Sequence, residues 1–555
     1  MQIPIIDIFA GPGGLGEGFS SILDKNNKRV FEIKLSIEKD ENAHETLRLR
    51  SFFRQFPANE LPEAYYEIMR ANTWKKRKKL IDQLKINYQN EWGNAENEAW
   101  CFELPYPEEF DKNGEKKGGY GPVEILERNK EIDDRISKAL QGKKDFLLIG
   151  GPPCQAYSLV GRARNQGISN SDHRVHLYKE YLRIIANHHP AVFVMENVKG
   201  LLSAEVDGVK VFDLIKKDLK NPGSVFSGHS SPKYKLYSLS NLPNSYKNGY
   251  PIFEENRDFL IKSEKYGIPQ RRHRVILLGI REDIKIEPSI LSKTQTLTSL
   301  ESVIGNLPKI RSGISKTFID YHPVDKYANG KPKRVYKTLK DNDQLWYSIM
   351  AQQVERLEEW GNLDLDKFEF HMEGLNNGVG HEFIKSENDF THGCPSKLQK
   401  WYIDPKIKGV ANHESRSHLT QDLMRYMFAA LYVKKNGDFP RLKDYAEHHS
   451  DLIPDHENVE SGKFADRFRV QVADKPGTTV TSHISKDGHY FIHYDAMQCR
   501  SLTVREAARI QTFPDNYLFC GSRTAQYHQV GNAVPPFLAK QIGEIVCGIF
   551  KKIEK

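Results

Sequence analysis

Short apolar runs separated by helix-length polar segments are the feature that most constrains the fold of this 555-residue chain. Each run is long enough for a buried strand, and parallel strands need a helical crossover between them. We therefore predict an α/β domain with a doubly wound parallel sheet over about the first 290 residues. The runs that we assign to buried parallel strands are Pro4–Phe9, Phe31–Ile37, Asp145–Gly151, Pro190–Asn197 and Arg274–Ile280.

A glycine-rich turn follows the first run, in the stretch IDIFAGPGGLGEGF. Its glycines fit the pattern G-x-G-x-x-G, in which a nucleotide lies close to the backbone of a strand-to-helix turn. Pro12 has no N–H to offer a pyrophosphate, which disfavours NAD. S-adenosylmethionine has no phosphates and needs only close backbone approach, an apolar face for adenine and a carboxylate for the ribose. Phe9 and Glu38 are candidates for that face and carboxylate, and a tight turn with Phe9 in the core is the structural alternative.

Two further strand ends carry reactive side chains. Cys154 follows two prolines at the end of the third run, in GGPPCQAYSLVGR, and Glu196 and Asn197 end the fourth, in VFVMENVKGLL. A cysteine fixed at a strand end is placed for nucleophilic attack, although a lone cysteine is more often part of a core. A glutamate there either caps neighbouring backbone or meets a ligand. Side chains at alternate positions entering the fifth run are predicted to share one face, and these are Gln270, Arg272 and Arg274.

Composition narrows the class without deciding the function. Hydrophobic residues make up 39% and charged residues 28% of the chain, as in ordinary globular proteins. The six cysteines are scattered without Cys-x-x-Cys pairs, so we predict neither disulfides nor a metal site. We find no apolar stretch of about 18 residues and no secretory leader, and we predict a cytoplasmic protein with no membrane association. A net charge of +8 is compatible with a polyanionic partner but is shared by many proteins without one.

Together these stretches resemble the conserved blocks of the C5-cytosine DNA methyltransferases. Six blocks occur in that family's order: DIFAGPGG, PPCQ, MENV, QRRHR, REAARIQTFPD and QVGNAVPP. The resemblance implies a Rossmann-like, S-adenosylmethionine-dependent catalytic domain and a smaller, irregular target recognition domain. The expected boundaries are 1–305 for the catalytic domain with an insertion at about 51–144, 306–497 for target recognition, and 498–555 for a segment that returns to the catalytic domain.

The resemblance also implies catalytic roles. Cys154 would add to C6 of cytosine, and Glu196 would bond to N3 and the exocyclic amine as the thiolate adds. Asn197 would hold the loop that bears the cysteine. Arg274 would contact O2 of the base, and Arg272 would orient Glu196 or the surroundings of the thiolate.

A cofactor site and a set of DNA contacts follow from the same resemblance. The loop Ala156–His176 is similar to the family's loop that closes over a flipped-out base. Lys39 stands where many members carry a bulky apolar residue, and Glu124 is our candidate for the acid that faces the adenine amine. The full cofactor set is Phe9, Gly11, Gly13, Gly14, Glu38, Glu124, Pro153, Leu177, Asn532, Ala533 and Val534. The candidate DNA contacts are Ser158, Arg162, Arg174 and Gln270.

The implied function is a DNA (cytosine-5)-methyltransferase that acts on a specific sequence of double-stranded DNA. It would be the modification enzyme of a restriction–modification system, monomeric on DNA and nucleoid-associated through it, with a cognate restriction endonuclease acting separately. One alternative is methylation of cytosine C5 in RNA. Another is a catalytically silent DNA-binding relative, against which the presence of Cys154, Glu196 and Arg274 counts. A nicotinamide oxidoreductase is disfavoured by Pro12 and by the later blocks.

Overall fold

The chain folds into two units, and each packs around its own buried apolar side chains. The structure, a computed structural model, divides into unit 1, with Met1–Pro62, Gln83–Thr296 and Asn532–Lys555, and unit 2, with Glu63–Asp82 and Leu297–Gly531. Both ends of the chain therefore belong to unit 1. The structure describes residues 2–57, 60–111, 113–153, 173–206, 208–226, 230–326, 330, 332–361, 363, 368–388, 390–454 and 467–554.

Strands and helices alternate along much of unit 1, as the apolar runs predict. The strands are, in chain order, β1 (Ile3–Ile8), β2 (Phe31–Glu38), β3 (Ala99–Cys101), β4 (Glu109–Phe110), β5 (Lys116–Gly118), β6 (Leu147–Gly150), β7 (Val192–Val198), β8 (Glu205–Val206), β9 (Val209–Lys210), β10 (Tyr234–Ser238), β11 (Ser245–Lys247), β12 (Tyr250–Ile252), β13 (Leu260–Lys262), β14 (His273–Arg281), β15 (Gly313–Lys326), β16 (Pro332–Thr338), β17 (Gly380–Lys385), β18 (Gly409–Glu414) and β19 (Ser417–Leu419).

The helices begin at recognisable signals. The Asp40 carboxylate accepts the N–H of Ala43 ahead of the second helix, and Pro122 occupies the first turn of the sixth. The α-helices are, in chain order, α1 (Gly14–Ser20), α2 (Glu41–Arg54), α3 (Glu63–Arg70), α4 (Trp74–Asn87), α5 (Gln89–Glu98), α6 (Pro122–Leu140), α7 (His173–His188), α8 (Val211–Lys220), α9 (Glu301–Ile304), α10 (Asp343–Glu359), α11 (Ser396–Tyr402), α12 (Thr420–Asn436), α13 (Leu442–His448), α14 (Val504–Ile510), α15 (Arg523–Asn532) and α16 (Pro536–Ile553).

Unit 1 is built on one sheet with the strand order β10-β14-β7-β6-β1-β2-β3, and β13 pairs with β14. The five strands from β7 to β3 in this order run parallel to one another. The chain passes from β1 to β2 on one side and later enters β6 on the other, so the strand order reverses at β1. This confirms the predicted doubly wound α/β architecture with a second, smaller unit.

The prediction of a parallel strand is wrong for the last of the five apolar runs. β14 runs antiparallel to β7 on one side and to β10 on the other. A strand that is buried on both faces is apolar in whichever direction it runs. Its hydrophobic pattern therefore carries no information about direction.

Alternate side chains of β1 feed two separate cores of unit 1. Ile6 and Ile8 pack in the core that includes apolar residues of α6 and α7. Ile3 and Ile5 pack in the core that includes apolar residues of α1 and α16. The C-terminal helix thus covers the same face of the sheet as the helix that follows the glycine turn.

The packing of α1 against α16 depends on glycine at position 18. A Cβ atom there would lie 2.3 Å from the carbonyl oxygen of Pro536 and 2.5 Å from the Cβ of Ala539. We expect Gly18→Ala to lower the free energy of unfolding by about 1–3 kcal/mol, because the two helix backbones must separate. Urea denaturation measures the change. Gly548→Ala on α16 is the matched control, since a Cβ there meets nothing within 4 Å; an equal loss in the control would contradict the packing argument.

The core of unit 2 forms mainly between α10 and α12. Trp346 and Met350 of α10 lie in one buried cluster with Leu423 and Met427 of α12. The indole N–H of Trp346 donates to the hydroxyl of Ser312 at 2.8 Å, which satisfies its polar group inside this core. Strand β15 pairs parallel to β19 and antiparallel to β16 in a separate three-stranded sheet of the same unit.

A buried ion pair fixes the start of α14 in unit 2. Two guanidinium nitrogens of Arg500 each donate to the Glu506 carboxylate at 2.7 Å. Glu506 and Thr503 also form a reciprocal capping box at the helix N-terminus. Burial opposes ionisation of Glu506, but the Arg500 charge outweighs it and holds the pKa of Glu506 well below its usual range.

The contacts divide the chain at positions that differ from the expected domain boundaries. Residues 297–305, expected in the catalytic domain, and residues 498–531, expected in the returning segment, pack within unit 2. Part of the insertion, Glu63–Asp82, also belongs to unit 2. There the Arg77 guanidinium pairs with the Glu382 carboxylate. The functional domain boundaries stay a prediction.

One helical stretch among the described residues, Arg523–Ile553, is long and apolar enough to cross a membrane by length and hydropathy alone. Within the fold, 72% of its most apolar window is buried. Core helices of globular proteins pass the same test, so the stretch is weak evidence for a membrane span.

Candidate active site

Side chains at the carboxyl ends of neighbouring parallel strands meet at one edge of the unit 1 sheet. The glycine turn follows β1, Glu38 ends β2, Pro152 and Pro153 follow β6, and Glu196 and Asn197 lie at the end of β7. Ligands of open α/β sheets bind in the crevice at this edge, where the strand order reverses. The structure thus brings these predicted site residues to one place.

The glycine turn has an unusual backbone. Phe9 adopts φ 58°, a left-handed conformation that costs a non-glycine residue free energy, and Gly11 and Gly13 have φ 57° and φ 94°. A Cβ atom on Gly11 would meet nothing within 4 Å, so the space above the turn is open. A strained backbone that faces open space is typical of a ligand-binding turn.

Glu38 is bound to this turn by hydrogen bonds. The N–H of Gly11 donates to Oε2 of Glu38 at 2.8 Å, and the N–H of Asp40 donates to Oε1 at 2.8 Å. Burial raises the pKa of Glu38, although the two backbone donors act in the opposite direction. A carboxylate accepts about four hydrogen bonds, so acceptor capacity remains for a hydroxyl group of a ligand.

The C-terminal block closes on the glycine turn. A Cβ atom on Gly14 would lie 2.4 Å from the carbonyl oxygen of Val534 and 3.2 Å from the Cβ of Ala533. Ala533 and Val534 are buried, whereas Asn532 is exposed. The two ends of the chain therefore meet beside the turn, and only glycine at position 14 allows it.

A polar cluster that the sequence reasoning missed lies next to Glu38. The Lys39 ammonium donates to the Glu103 carboxylate at 2.9 Å, and the Tyr120 hydroxyl donates to the same carboxylate at 2.9 Å. Burial opposes ionisation of Glu103, but these two donors hold its pKa below the usual value. Glu103 comes two residues after β3, which pairs with the end of β2, so its place after a strand end is the signal that could have found it.

The remaining predicted cofactor residues are less informative. Glu124 is exposed in the first turn of α6. Leu177 is a buried core residue of α7, and Pro153 is half-buried. Their contacts with a cofactor stay predictions.

A short ion pair joins the ends of β7 and β14. Nε of Arg274 lies 2.7 Å from Oε1 of Glu196. A Cβ atom on Gly151 would lie 3.0 Å from Oε2 of Glu196, so glycine gives the carboxylate room beside the end of β6. Arg274 thus contacts Glu196 directly, and the expected role of Arg272, to orient Glu196 or the surroundings of the thiolate, stays a prediction.

Asn197 holds the backbone that leads to Cys154. Its amide nitrogen donates to the carbonyl of Pro152 at 3.3 Å, and its amide oxygen accepts the N–H of Val198 at 2.8 Å. The first of these hydrogen bonds is buried and the second is partly buried. The side chain therefore links the end of β7 to the proline turn two residues before Cys154.

Gln270 and Arg272, which alternation predicts to share one face with Arg274, are buried, whereas Arg274 is only half-buried. Gln270 is fully buried and Arg272 is 2% exposed, since both precede β14 in a segment where the carbonyl of Gln270 accepts the hydroxyl of Ser263 at 2.8 Å. Burial and the Arg274 charge lower the pKa of Arg272, and the Glu196 charge acts against them. A buried Gln270 does not fit the predicted role of a direct DNA contact.

Four predicted residues have no described side chain. Cys154, Ser158 and Arg162 lie outside the described residues, and so does most of the loop Ala156–His176. Arg174 lies in α7, but its side chain is not among those described. Their roles stay predictions.

Asp7 of β1 is a further buried acid beneath the glycine turn. It is 1% exposed, and neither of its carboxylate oxygens has a hydrogen-bond partner among the described residues; the same holds for the hydroxyl of its cross-strand neighbour Ser36. Burial raises the pKa of Asp7 to about 8, against the attraction of Arg54. The folded protein therefore favours the protonated acid.

This acid should make stability depend on pH. Because the folded pKa of Asp7 lies above the unfolded one, its contribution is complete below about pH 4 and is lost as the pH rises toward 8. We expect the free energy of unfolding of the wild type to fall by about 2 kcal/mol, relative to Asp7→Asn, between pH 6 and pH 8. Urea denaturation at both pH values tests this, with the exposed Glu127→Gln as the control. Parallel pH profiles for the wild type and Asp7→Asn would contradict it.

Among the described residues, no group of three or more His, Cys, Asp or Glu side chains is placed to hold a metal ion. The polar groups at this sheet edge are backbone N–H groups, the half-buried carboxylate of Glu38 and the ion pair of Glu196 with Arg274. Such donors suit an organic ligand with hydroxyl and amine groups and a planar base.

Comparison with known proteins gives the family. The model of the C-5 cytosine-specific DNA methylase family matches residues 124–547. The type II methyltransferase M.Bpa9945I of Bacillus paralicheniformis is 32% identical, over 98% of this chain and 98% of that protein. The type II methyltransferase M.DdeI of Desulfomicrobium norvegicum is 28% identical over 73% of each chain, and the DNA (cytosine-5-)-methyltransferase M.ApeKI of Aeropyrum pernix is 25% identical over 75% and 83%. The family model matches well over half of the chain, and the chain therefore belongs to the C-5 cytosine-specific DNA methylase family.

Proposed function

We propose that this methyltransferase transfers a methyl group from S-adenosylmethionine to C5 of a flipped-out cytosine in a specific duplex DNA sequence, through a covalent bond between Cys154 and C6. The observation that carries the proposal is the contact of Glu196 with Arg274 at 2.7 Å, at the same sheet edge as the glycine turn. Asn197 adds support, because it bonds to the turn that leads to Cys154.

The residues around the glycine turn fit S-adenosylmethionine. The Glu38 carboxylate retains acceptor capacity for the ribose hydroxyls, and the open space over Gly11 admits the ligand against the backbone. Phe9 would supply an apolar face for the adenine. We assign the acid near the adenine amine to Glu103 in place of the exposed Glu124, because Glu103 lies beside Glu38 with Lys39. When bound, the cofactor supplies the methyl group as an electrophile attached to a positively charged sulfur.

The cytosine ring must be activated, since C5 alone is a weak nucleophile. The Cys154 thiolate would donate an electron pair to C6, and the C5–C6 π pair would move onto C5. C5 would then form the new bond to the methyl carbon as the bond between that carbon and the sulfonium sulfur breaks, and the electron pair of the broken bond would stay on the sulfur of the neutral thioether that leaves. Glu196 would hydrogen-bond N3 and the exocyclic amine, and Arg274 would contact O2, so both act where charge develops. The cationic side chains of Arg272 and Arg274 would also favour the thiolate form of the cysteine.

Release of the product restores the enzyme. A base takes the C5 proton, the C5–H electron pair forms the C5–C6 double bond again, and the sulfur leaves with its pair as the Cys154 thiolate. No oxidant or reductant is needed, and the chain is regenerated for another turnover.

Duplex DNA is the proposed substrate. The target atoms lie inside the base stack, so the cytosine must leave the helix at a cost of a few kcal/mol. Ser158, Arg162 and Arg174 remain candidates for contacts with the DNA around it. Unit 2 is the proposed reader of the surrounding sequence, through the major groove.

The names of the relatives support a proposal about the biological role of this methyltransferase. Two of the three proteins above are named type II methyltransferases, which supports a role as the modification enzyme of a restriction–modification system. A separate cognate endonuclease, a monomeric state on DNA and a cytoplasmic, nucleoid-associated location belong to the same proposal.

The test is incubation of the full chain with S-adenosylmethionine labelled in the methyl group, in parallel reactions with genomic duplex DNA and with transfer RNA. We expect label in the DNA only, and sequencing of the modified cytosines should place it at C5 within one short motif. Label in RNA alone would overturn the DNA assignment. Binding of the cofactor and of DNA without any transfer would instead indicate a catalytically silent relative.

A further inference from the structure

A β-hairpin of the insertion in unit 1 turns back to its own starting point. Strands β4 and β5 pair antiparallel, and Pro107, on the way into the hairpin, bridges Tyr120 on the way out. The N–H of Tyr120 also donates to the carbonyl of Tyr106 at 2.9 Å. The hairpin therefore begins and ends shortly after β3, and it brings Tyr120 to that place.

The place to which Tyr120 returns lies beside Glu38. The end of β2 pairs with β3, and the N–H of Phe102 donates to the carbonyl of Glu38 at 2.9 Å. Glu103 is the next residue, and its carboxylate is held through both oxygens. The Lys39 ammonium donates to Oε1 and the Tyr120 hydroxyl donates to Oε2, each at 2.9 Å. One of the two donors is thus supplied by the insertion.

Arg128 of α6 fixes the ring of Tyr120. Its guanidinium carbon lies 4.0 Å from the ring centre of Phe102 and 4.2 Å from that of Tyr120. A cation is attracted to both rings. A guanidinium nitrogen of Arg128 also donates to the backbone carbonyl of Glu103 at 2.6 Å. The ring and the carboxylate that it holds are therefore anchored by the same side chain.

The protonation states suit a carboxylate that reads a hydrogen-bond donor. Burial and the hydrogen bond to Glu103 raise the pKa of Tyr120 to about 12, so its hydroxyl keeps the proton that it donates. Burial opposes ionisation of Glu103, but Lys39 and Tyr120 hold its pKa below the usual value. An ionised carboxylate accepts about four hydrogen bonds and donates none, so acceptor capacity remains for an amine of a ligand.

Tethering of the hairpin does not by itself explain the Tyr120 hydroxyl. The hairpin is already closed by its backbone hydrogen bonds and by an ion pair of Lys116 with Glu108 at 3.0 Å. The hydroxyl bonds to neither strand of the hairpin. It bonds instead to the one carboxylate that follows β3 at the edge of the sheet.

We infer that Tyr120 is a positioning residue, which holds the Glu103 carboxylate in the orientation that accepts the adenine amine and so makes the cofactor site selective for an aminopurine. Tyr120 acts through Glu103 and touches no reacting atom. The insertion thereby has a role at the cofactor site. The inference rests on the proposed function, because it takes S-adenosylmethionine as the cofactor and Glu103 as the acid near its amine.

The test measures binding of two ligands to the full chain by calorimetry, without DNA or turnover. One ligand is S-adenosylhomocysteine, the product of methyl transfer, and the other is the same compound with hydrogen in place of the adenine amine. We expect the wild type to bind the first about tenfold more tightly, the usual effect of one hydrogen bond to a charged group. Tyr120→Phe keeps the ring and should reduce this preference to about threefold or less, through weaker binding of the ligand with the amine.

The matched control removes a tyrosine hydroxyl from another carboxylate of unit 1. The hydroxyl of Tyr250 on β12 donates to the Glu282 carboxylate. Tyr250→Phe should keep the full preference for the ligand with the amine.

A pair of glycine variants tests the placement of Tyr120 without removal of its hydroxyl. Gly119 and Gly114 both have φ 83°, so a side chain is strained to the same degree at each. A Cβ atom on Gly119 would lie 2.3 Å from the carbonyl oxygen of Pro107, whereas one on Gly114 meets nothing within 4 Å. We expect Gly119→Ala to lose the preference and Gly114→Ala to keep it. Full preference in Gly119→Ala would contradict placement of Tyr120 by the hairpin.

Dependence on Glu103 separates positioning from a general effect on the fold. Glu103→Ala should bind the two ligands equally. Addition of Tyr120→Phe to this variant should then change neither affinity, because the group through which Tyr120 acts is gone.

The outcomes separate this inference from the proposed function. If the wild type prefers the ligand with the amine but Tyr120→Phe weakens both ligands equally, Tyr120 has only a structural role and the inference is wrong. If the wild type binds both ligands equally, no side chain reads the amine and the inference is also wrong, while the labelled-methyl assay decides the proposed function separately. If the wild type binds neither ligand and transfers no label, the proposed function itself fails.

Discussion

A duplex that carries 5-fluorocytosine at the methylated position should form a complex with the wild-type chain that survives denaturation, whereas Cys154→Ala should form none. The reason is chemical: fluorine at C5 cannot leave as a proton does, so the bond between sulfur and C6 persists after methyl transfer. On ordinary DNA the same variant should lose at least about 10⁴-fold in turnover, as expected when a covalent nucleophile is removed. Gel electrophoresis under denaturing conditions and a labelled-methyl assay measure the two effects.

The control for this experiment is another cysteine of unit 1. Cys101 is exposed at the end of β3, so it is the described cysteine most accessible to an adventitious reaction. Cys101→Ala should form the trapped complex as the wild type does, and duplex binding by Cys154→Ala should remain within a few-fold. A stable complex with Cys154→Ala would show that the covalent mechanism uses another residue.

Strand positions and the edge of the sheet could be predicted from sequence because their causes are local. Each apolar run became a strand. The glycine turn after β1, Glu38 at the end of β2, the prolines after β6, and Glu196 and Asn197 at the end of β7 lie at the same sheet edge because parallel strands all end on one side. The antiparallel direction of β14 could not be predicted in this way. β10, β13 and β7 all run antiparallel to β14, so the chain reverses direction between β13 and β14, and the apolar pattern of β14 does not reveal this reversal.

Contacts between distant segments were the hardest part to predict. Alternation predicts one face for Gln270, Arg272 and Arg274, but it does not predict that Gln270 and Arg272 are buried, because tertiary packing decides burial. The sequence alone did not identify Glu103, because two tertiary features make it a candidate. Pairing of β3 with β2 brings it close to Glu38, and Lys39 and Tyr120, from other parts of the chain, donate hydrogen bonds to its carboxylate. A sequence pattern identifies residue types at strand ends, but which side chains they contact is decided by the rest of the fold.

Loss of the Glu196 charge should reduce methyl transfer strongly without loss of binding. In Glu196→Gln the side chain keeps its shape, but the carboxylate that contacts Nε of Arg274 at 2.7 Å and would bond to the base is replaced by a neutral amide. We expect turnover to fall by about 10²–10³-fold, the usual effect of removing one group that stabilises developing charge. Duplex affinity should change by only a few-fold. The exposed Glu205→Gln, with the same change in charge, should retain wild-type turnover.

The contact between Glu196 and Arg274 predicts that the two side chains act together in catalysis. If the two side chains act as one unit on the cytosine ring, Arg274→Met should lower turnover about as much as Glu196→Gln does. The turnover of the double variant should then be only slightly below that of the less active single variant. Measurement of turnover at saturating cofactor and DNA for all four proteins completes the cycle. Losses that simply multiply would mean that Glu196 and Arg274 contribute independently, and then their ion pair would position neither of them for catalysis.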